Sequence, residues 1–326
     1  MQPKIKIILF SLLVGIALML MKFSAYFITH SNAILTDAAE SIVNVIASSF
    51  AFYSIYLAGL PRDQNHPYGH GKVEFFSAFV EGTLIILAGI IIISKSVFNL
   101  FYPQELTDII DGALIIAITG FINGFVGWYL VRKSKTLNSL TLQADGKHLI
   151  TDAISSFGLM AGLVLIYFTQ IIWLDSVISI LLGFYIIYNG YQLTRKSVGG
   201  LMDESDQMVV NEIIDYLNVH RKSEWIDIHN LRTQQYGSEI HIDCHVTLPY
   251  YFDLNKVHHE VTEIGRVVNE NVSGDTEFFI HADPCIPECC HYCGMKNCEV
   301  RKEPQTKTIN WSLENITKNH KHFEQQ

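Results

Sequence analysis

Two apolar stretches of this sequence contain polar side chains at spacings of three and four residues, so each set projects from one face of a helix. The sets are Asp37, Glu40 and Asn44 in the first stretch and Asp145, His148 and Asp152 in the second. Ionisable groups within a membrane are costly and usually mark a pathway or a binding site. Carboxylate oxygens, an amide oxygen and an imidazole suit a first-row divalent cation. We therefore expect the two sets to face each other and to hold such an ion.

A further candidate site lies in a loop that follows the first of these stretches. Asp63, His66 and His70 are separated by three and four residues, and Pro67 and Gly69 between them break helical structure. One carboxylate and two imidazoles could bind a metal ion. On spacing alone, a polar loop at the membrane surface is an equally good interpretation.

The hydrophobic pattern places these residues in a membrane domain, because six stretches are long and apolar enough to span a bilayer, which takes about 20 residues. They cover roughly residues 6–29, 33–59, 72–101, 108–132, 139–168 and 170–194. Lys and Arg concentrate in alternate loops, a bias that puts both termini in the cytoplasm. The sequence thus predicts an α-helical polytopic membrane domain with six transmembrane helices over residues 1–202, in the cell (inner) membrane.

The remainder of the chain has the composition of an acidic soluble domain. Residues 203–326 contain 11 Lys and Arg against 21 Asp and Glu, whereas residues 1–202 contain 12 against 11. This shift predicts a domain boundary near Asp203. Periodicity predicts a helix, two strands, a helix and a strand over residues 205–220, 225–236, 239–248, 253–272 and 276–282. This order is typical of an α+β ferredoxin-like cytoplasmic domain, which we assign to residues 203–284.

A cluster of cysteines follows this domain. Its members are Cys285, Cys289, Cys290, Cys293 and Cys298. Their spacing suits a sulfur-rich tetrahedral metal site, and a flexible tail of reduced thiols is the alternative. In a reducing cytoplasm we expect thiols or metal ligands rather than disulfides, and this applies to Cys244 as well. The polar composition predicts a mobile tail over residues 285–326.

Four motifs occur in a characteristic order along this chain. They are TDAAESIVN at residues 36–44, HPYGHGKVE at 66–74, ADGKHLITD at 144–152 and HADP at 281–284. With six spans, they resemble the cation diffusion facilitator family of metal–proton antiporters over roughly residues 8–284. The resemblance implies a homodimer that exports zinc or a related divalent cation from the cytosol in exchange for protons, with a metal-sensing cytoplasmic domain.

By position, the resemblance implies a transport site formed by Glu40, Asn44, His148 and Asp152, with Asp37 as a secondary candidate. The family usually has His or Asp at the first position and Asp at the second, where this sequence has Glu and Asn. An amide removes one negative charge and weakens affinity for a hard cation, although its carbonyl oxygen can still bind metal.

The resemblance also implies metal sites outside the membrane core. The membrane-proximal site would be Asp63, His66 and His70, which match the family pattern completely. A two-metal cytoplasmic cluster bridging the dimer would use His229, His245, His258, His281 and Asp283. His241 and His259 lie nearby, and we expect them to be solvated. A charge interlock would join Lys72 to Asp203.

The metal and the class of function have alternatives. Zinc is favoured by His148 and by the family, whereas iron(II), manganese, cobalt or nickel would suit an oxygen-rich site. A membrane-anchored metal sensor without transport is a second class, but a sensor needs no polar residues within spans. A metallopeptidase would need His-Glu-x-x-His on a helix. The nearest sequence, residues 258–261 (HHEV), lacks the second His, so we do not expect an enzyme. We expect no nucleic-acid partner either.

Overall fold

The computed structural model describes residues 3–29, 32–102, 109–169, 173–237, 239–272 and 275–324. The chain divides into two compact units, Met1–Met202 and Asp203–Gln326. In the described part of the first unit there are six long helices. They are α1 (Pro3–Thr29), α2 (Asn32–Ala58), α3 (Val73–Phe101), α4 (Ile109–Leu137), α5 (Leu140–Thr169) and α6 (Trp173–Leu201).

The apolar composition of these helices is that of a membrane domain. Among the described residues, three helical segments are long and apolar enough to cross a bilayer: Pro3–Ser24, Val73–Phe101 and Ser176–Leu201. A shorter apolar segment covers Asn44–Ala58. The predicted helical membrane domain is confirmed, and the six helices coincide closely with the six predicted stretches.

Close helix packing determines where the polar residues of α5 lie. Helix α3 packs most extensively against α6, and α4 against α5. A Cβ atom on Gly127 of α4 would lie 2.7 Å from the carbonyl oxygen of Gly146 in α5. The absence of a side chain at Gly127 therefore lets the two backbones approach directly beside Asp145 and His148, as small residues do in membrane helix pairs.

The second unit has the predicted α-β-β-α-β order. Its elements are α7 (Gln207–Val219), β1 (Asp227–Tyr236), β2 (Glu239–Leu248), α8 (Leu254–Asn271) and β3 (Asp275–Pro284). Strand β2 is central, antiparallel to β1 and parallel to β3. Alternate residues of β2, including Ile242 and Val246, are fully buried and form a core with α7 and α8. The α+β prediction is confirmed, and the opposite face of the sheet is left for polar side chains.

The segment after β3 differs from the mobile tail that its polar composition predicts. Trp311 and Ile316 are buried in the same core as the sheet, and Ile316 ends a short helix, α9 (Leu313–Ile316). The guanidinium of Arg221 stacks over Trp311 at 4.1 Å, and the Lys318 carbonyl accepts a hydrogen bond of 2.8 Å from the Asn230 backbone. A few large apolar residues fix a segment whose average composition is polar.

Candidate metal centres

The polar residues of α2 and α5 meet across the helix interface. The Asn44 amide nitrogen donates a hydrogen bond of 2.6 Å to Asp152 Oδ2, and Asn44 Oδ1 lies 3.0 Å from His148 Nε2. His148 Nε2 is also 3.8 Å from Asp152 Oδ2. His148 is buried and the Asp152 side chain is 20% exposed. The three predicted ligands thus converge in one partly accessible cluster that presents two oxygen-bearing groups and one imidazole.

The remaining members of the two polar sets have different positions. The side chains of Asp37 and Glu40 lie outside the described residues. Asp145 accepts hydrogen bonds from Ser11 Oγ of α1 at 2.7 Å and from Ser48 Oγ of α2 at 2.8 Å. Its side chain therefore ties three helices together next to the His148 cluster. Nothing in the sequence pairs these serines with Asp145, because the partners are 97 and 134 residues away.

The loop between α2 and α3 brings its three predicted ligands together. Asp63 Oδ1 accepts hydrogen bonds from the backbone N–H of Asn65 at 2.9 Å and of His66 at 2.7 Å. The ligand atoms of Asp63, His66 and His70 all lie within 4.8 Å of one another. The His66 backbone N–H lowers the pKa of Asp63. An ionised carboxylate and two imidazoles at this separation could bind one cation.

A second convergent group lies on the polar face of the cytoplasmic sheet. His229 of β1 and His245 of β2 are directly paired across the two strands, and Asp283 stands on β3. Asp283 Oδ2 is 3.6 Å from His229 Nε2 and 3.3 Å from His245 Nδ1. The three ligand atoms lie within 4.8 Å of one another. Side chains alternate between the two faces of each strand, and the register of the strands brings these three to neighbouring positions on one face. Residues that are distant in sequence therefore meet.

Electrostatics at this group favours a neutral imidazole. Burial lowers the pKa of His229, which favours the unprotonated ring that a metal ligand requires. Asp227, fully buried beside it, accepts hydrogen bonds from His322 Nδ1 and from the His322 backbone N–H. Burial would raise the pKa of Asp227, but hydrogen bonding from His322 lowers it below its ordinary value.

The C-terminal segment also contributes a cation that the sequence did not reveal. Lys321 Nζ lies 3.9 Å from Asp283 Oδ2 and donates a hydrogen bond of 3.2 Å to the Pro284 carbonyl. No sequence pattern singles out Asp227, Lys321 or His322, and the last two lie in a polar segment without periodicity. Their approach to the sheet depends on the packing of Trp311 and Ile316.

The other histidines of the predicted cluster are less closely grouped. His281 is exposed, and its Nε2 is 3.5 Å from Asp283 Oδ1. His258 is exposed on α8 and is not part of the His229, His245 and Asp283 group, and His259 is also exposed, as expected. The expectation that His241 is solvated is wrong. It is 4% exposed, because the Tyr236 ring packs against it with centroids 4.8 Å apart.

The remaining predicted residues are placed as follows. All six cysteines are free thiols. Cys244 is buried in the sheet core, and burial raises its pKa. Cys285, Cys289, Cys290, Cys293 and Cys298 line one cavity. Lys72 immediately precedes α3, and Asp203 begins the second unit. The charge interlock between them stays a prediction.

Comparison with known proteins agrees with this architecture. The family described as "Cation efflux transmembrane domain" matches residues 8–202, and "Cation efflux protein, cytoplasmic domain" matches residues 206–285. An uncharacterized transporter of Synechocystis is 35% identical over 271 residues, which cover 83% of this chain and 87% of that protein.

Two further relatives carry more specific descriptions. A cadmium, cobalt and zinc/H⁺-K⁺ antiporter of Bacillus subtilis is 25% identical, over 85% of this chain and 90% of its own. A cation-efflux pump FieF of Shewanella oneidensis is 25% identical, over 84% of this chain and 92% of its own.

These matches cover both units, the apolar helices and the sheet domain through which such transporters form homodimers. The protein is therefore a multi-pass membrane transporter of divalent metal cations and not an enzyme. The chain belongs to the cation efflux, or cation diffusion facilitator, family.

Proposed function

We propose that this protein exports a divalent transition-metal cation, zinc foremost, from the cytoplasm in exchange for protons. The supporting observation is the cluster in which Asn44 bridges His148 and Asp152 between α2 and α5. Glu40 precedes Asn44 by one helical turn and would complete a four-ligand site. Asp37, one turn earlier again, is a secondary ligand in this proposal. Both termini face the cytoplasm in the inner membrane.

Proton exchange follows from the chemistry of the ligands. A metal ion binds neutral imidazole and ionised carboxylate, so the ion and protons compete for His148 and Asp152. His148 is the proposed proton carrier of the set, because a neutral imidazole can bind either the metal ion or a proton. The Bacillus subtilis relative, described as a cadmium, cobalt and zinc/H⁺-K⁺ antiporter, supports both the metal class and the exchange.

The identity of the metal depends chiefly on Asn44. An imidazole nitrogen favours zinc, cobalt or nickel, whereas an amide oxygen and carboxylates also suit iron(II) and manganese. Zinc is our first choice because His148 lies within the cluster and zinc is named for a relative. Cells select among these ions by geometry and availability as much as by affinity.

Metal sites outside the transport cluster complete the proposal. Asp63, His66 and His70 form the membrane-proximal site, supported by their mutual distances. His229, His245 and Asp283 form the centre of the cytoplasmic site, which His281 approaches and to which His258 would contribute. In the homodimer this site senses cytosolic metal, and Lys72 with Asp203 links it to helix movement.

Flux measurements in proteoliposomes test the transport proposal. Zinc uptake by vesicles containing the purified protein should be accompanied by a change of internal pH, and Asp152→Ala should abolish both signals. Ser155→Ala is the matched control, because its hydroxyl donates a hydrogen bond to the Thr151 carbonyl one turn earlier on α5 and, among the described residues, not to the cluster. Undiminished flux in Asp152→Ala would contradict the site. Metal binding without any flux would instead favour a sensor.

Metal selectivity is tested by Asn44→Asp. The added carboxylate restores the negative charge that the amide lacks, so uptake of the harder ion manganese should rise relative to zinc. An unchanged ratio among zinc, manganese, cobalt, nickel and iron(II) would show that Asn44 does not determine the choice of metal.

A further inference from the structure

A cavity in the second unit is lined by most of the sulfur atoms of this unit. Its volume is about 210 Å³, and its sulfur-bearing residues are Cys285, Cys289, Cys290, Cys293, Met295 and Cys298. Apolar residues such as Ile226 and Val300 form much of the remaining wall. None of the proposed transport or sensing ligands lines it.

The backbone around this cavity is fixed by the protein itself. The Cys285 backbone N–H donates a hydrogen bond of 2.8 Å to the Leu248 carbonyl, which extends the sheet to the cavity. The guanidinium of Arg301 then donates to three carbonyls of the sulfur-bearing loop. The acceptors are Cys290 at 3.1 Å, Cys293 at 3.1 Å and Met295 at 2.6 Å. The guanidinium of Arg301 therefore holds the backbone of the loop that carries these cysteines.

The cysteines of the cavity differ from a cysteine that only packs. Cys244 is 2% exposed within the sheet core, where a thiol serves as a small apolar side chain. Cys289 and Cys293 are similarly buried, but Cys290 and Cys298 are partly exposed. A partly exposed thiol contributes little apolar burial. Packing therefore accounts for two of the cysteines and leaves the clustering of the others unexplained.

Burial raises the pKa of Cys285, Cys289 and Cys293, so a cation must compete with protons for these thiols. Ionised Cys285 would be repelled by ionised Cys289, Cys290 and Cys293, and a cation bound among them would offset that repulsion. Arg301 interacts favourably with ionised Cys293. Within the described chain, no three sulfurs lie within 4.8 Å of one another. Closure around an ion therefore requires side-chain rotation, which is easiest for the partly exposed thiols.

We propose that this cavity binds one thiophilic d¹⁰ cation of the zinc and cadmium type through at least three cysteine thiolates. Thiolates are the preferred protein ligands of such ions, with zinc–sulfur distances of about 2.3 Å in tetrahedral sites. Each thiol that binds releases its proton to solvent. The site is distinct from the imidazole and carboxylate group on the sheet, although the Tyr292 side chain lies between Asp227, beside that group, and Cys289 of the cavity. Its hydroxyl lies 3.3 Å from Asp227 Oδ2 and 3.4 Å from Cys289 Sγ.

Cadmium titration of the reduced full-length protein in detergent tests this site. Cadmium bound to thiolates gives an ultraviolet charge-transfer band that imidazole and carboxylate ligands do not give. We expect the band to saturate at one cadmium per chain and to be reversed by excess zinc. The triple variant C285S/C290S/C298S should lose most of it, because only two of the cavity thiols remain. All three residues are partly exposed, so the fold should persist.

Two variants serve as controls, with folding verified by circular dichroism. Cys244→Ala removes a thiol outside the cavity, and His245→Ala disrupts the imidazole group on the sheet, so both should retain the full band. Absence of the band in the unaltered protein would overturn the proposal. A band that survives in the triple variant, or one that Cys244→Ala removes, would overturn it too.

Discussion

Lys321 offers a direct test of the proposed cytoplasmic site, because it places a positive charge where a metal ion would bind. Its Nζ is 3.9 Å from Asp283 Oδ2, an oxygen that also faces His229 and His245. Lys321→Met removes the charge while keeping an unbranched side chain of similar length. We expect the variant to bind zinc more tightly at this site.

The size of the effect follows from the distance. Two unit charges 4 Å apart interact by about 1 kcal/mol in bulk water and by about 4 kcal/mol at an effective dielectric constant of 20. The ion is doubly charged, but the partly exposed lysine can turn towards solvent, so the value for water is the appropriate one. Twice that value, about 2 kcal/mol, corresponds to a roughly 30-fold lower dissociation constant. The difference should shrink as ionic strength rises, because salt screens such charges.

Competition between the protein and a fluorescent zinc chelator measures this dissociation constant in the full-length protein. Zinc bound at this site is identified as the portion of zinc binding that His245→Ala abolishes. Lys318→Met is the matched control, since Lys318 is an exposed lysine of the same segment and should leave the affinity unchanged. Equal affinities in Lys321→Met and the unaltered protein would refute the electrostatic reasoning. Weaker binding would show instead that Lys321 orders Asp283.

Two further predictions concern stability. Gly127→Ala should lower the thermal stability of the purified protein in detergent, because its methyl group would meet the Gly146 carbonyl oxygen at 2.7 Å. Overpacking of this kind costs about 1–3 kcal/mol. Gly124→Ala, on the same helix but with an ordinary contact of 3.4 Å, should be nearly neutral, and equal losses in the two variants would contradict the close approach. Glu260 is buried, which alone would raise its pKa, yet hydrogen bonds from Lys256, Lys222 and Trp225 lower it to about 2 from 4.5. This shift stabilises the fold by about 3 kcal/mol above pH 4.5 and is lost as the pH falls from 4.5 towards 2. In Glu260→Gln, the β2 amides should exchange hydrogen faster than in the unaltered protein already at neutral pH, because this stabilisation is missing. An unchanged exchange rate there would contradict the role of Glu260.

Local spacing was sufficient to predict the groups that lie on one element or on paired strands. Polar residues three and four apart on α5 predicted that His148 and Asp152 share a face, and they lie 3.8 Å apart. Alternation along β2 placed His245 on the polar face of the sheet, where it meets His229. Such groups follow from helix and strand geometry, which the sequence pattern reveals directly.

Contacts made by tertiary packing leave no comparable pattern in the sequence. Asp145 binds Ser11 and Ser48 on two other helices, and no periodicity selects those two serines from the others in the chain. The segment after β3 was misjudged for a related reason. Average polarity predicts disorder, but Trp311 and Ile316 supply enough apolar surface to dock the segment on the sheet domain.

Asn44 is, with Glu40, one of two positions at which the proposed transport site departs from the family pattern, and its geometry gives a reason for an amide. The amide donates to Asp152 and offers an oxygen to His148, so the three side chains are joined by direct polar contacts. A carboxylate at the same position would be 2.6 Å from another carboxylate, where two negative charges repel strongly in a membrane interior. Under the proposed function, an exporter must return without its cargo. Because an amide carries no charge, Asn44 would lessen repulsion between the ligands in that step at the expense of affinity for hard cations, so Asn44→Asp should bind metal more tightly yet return more slowly. Measurement of manganese binding alongside zinc exchange would distinguish the two effects, and an equal gain in both would refute this role of the amide.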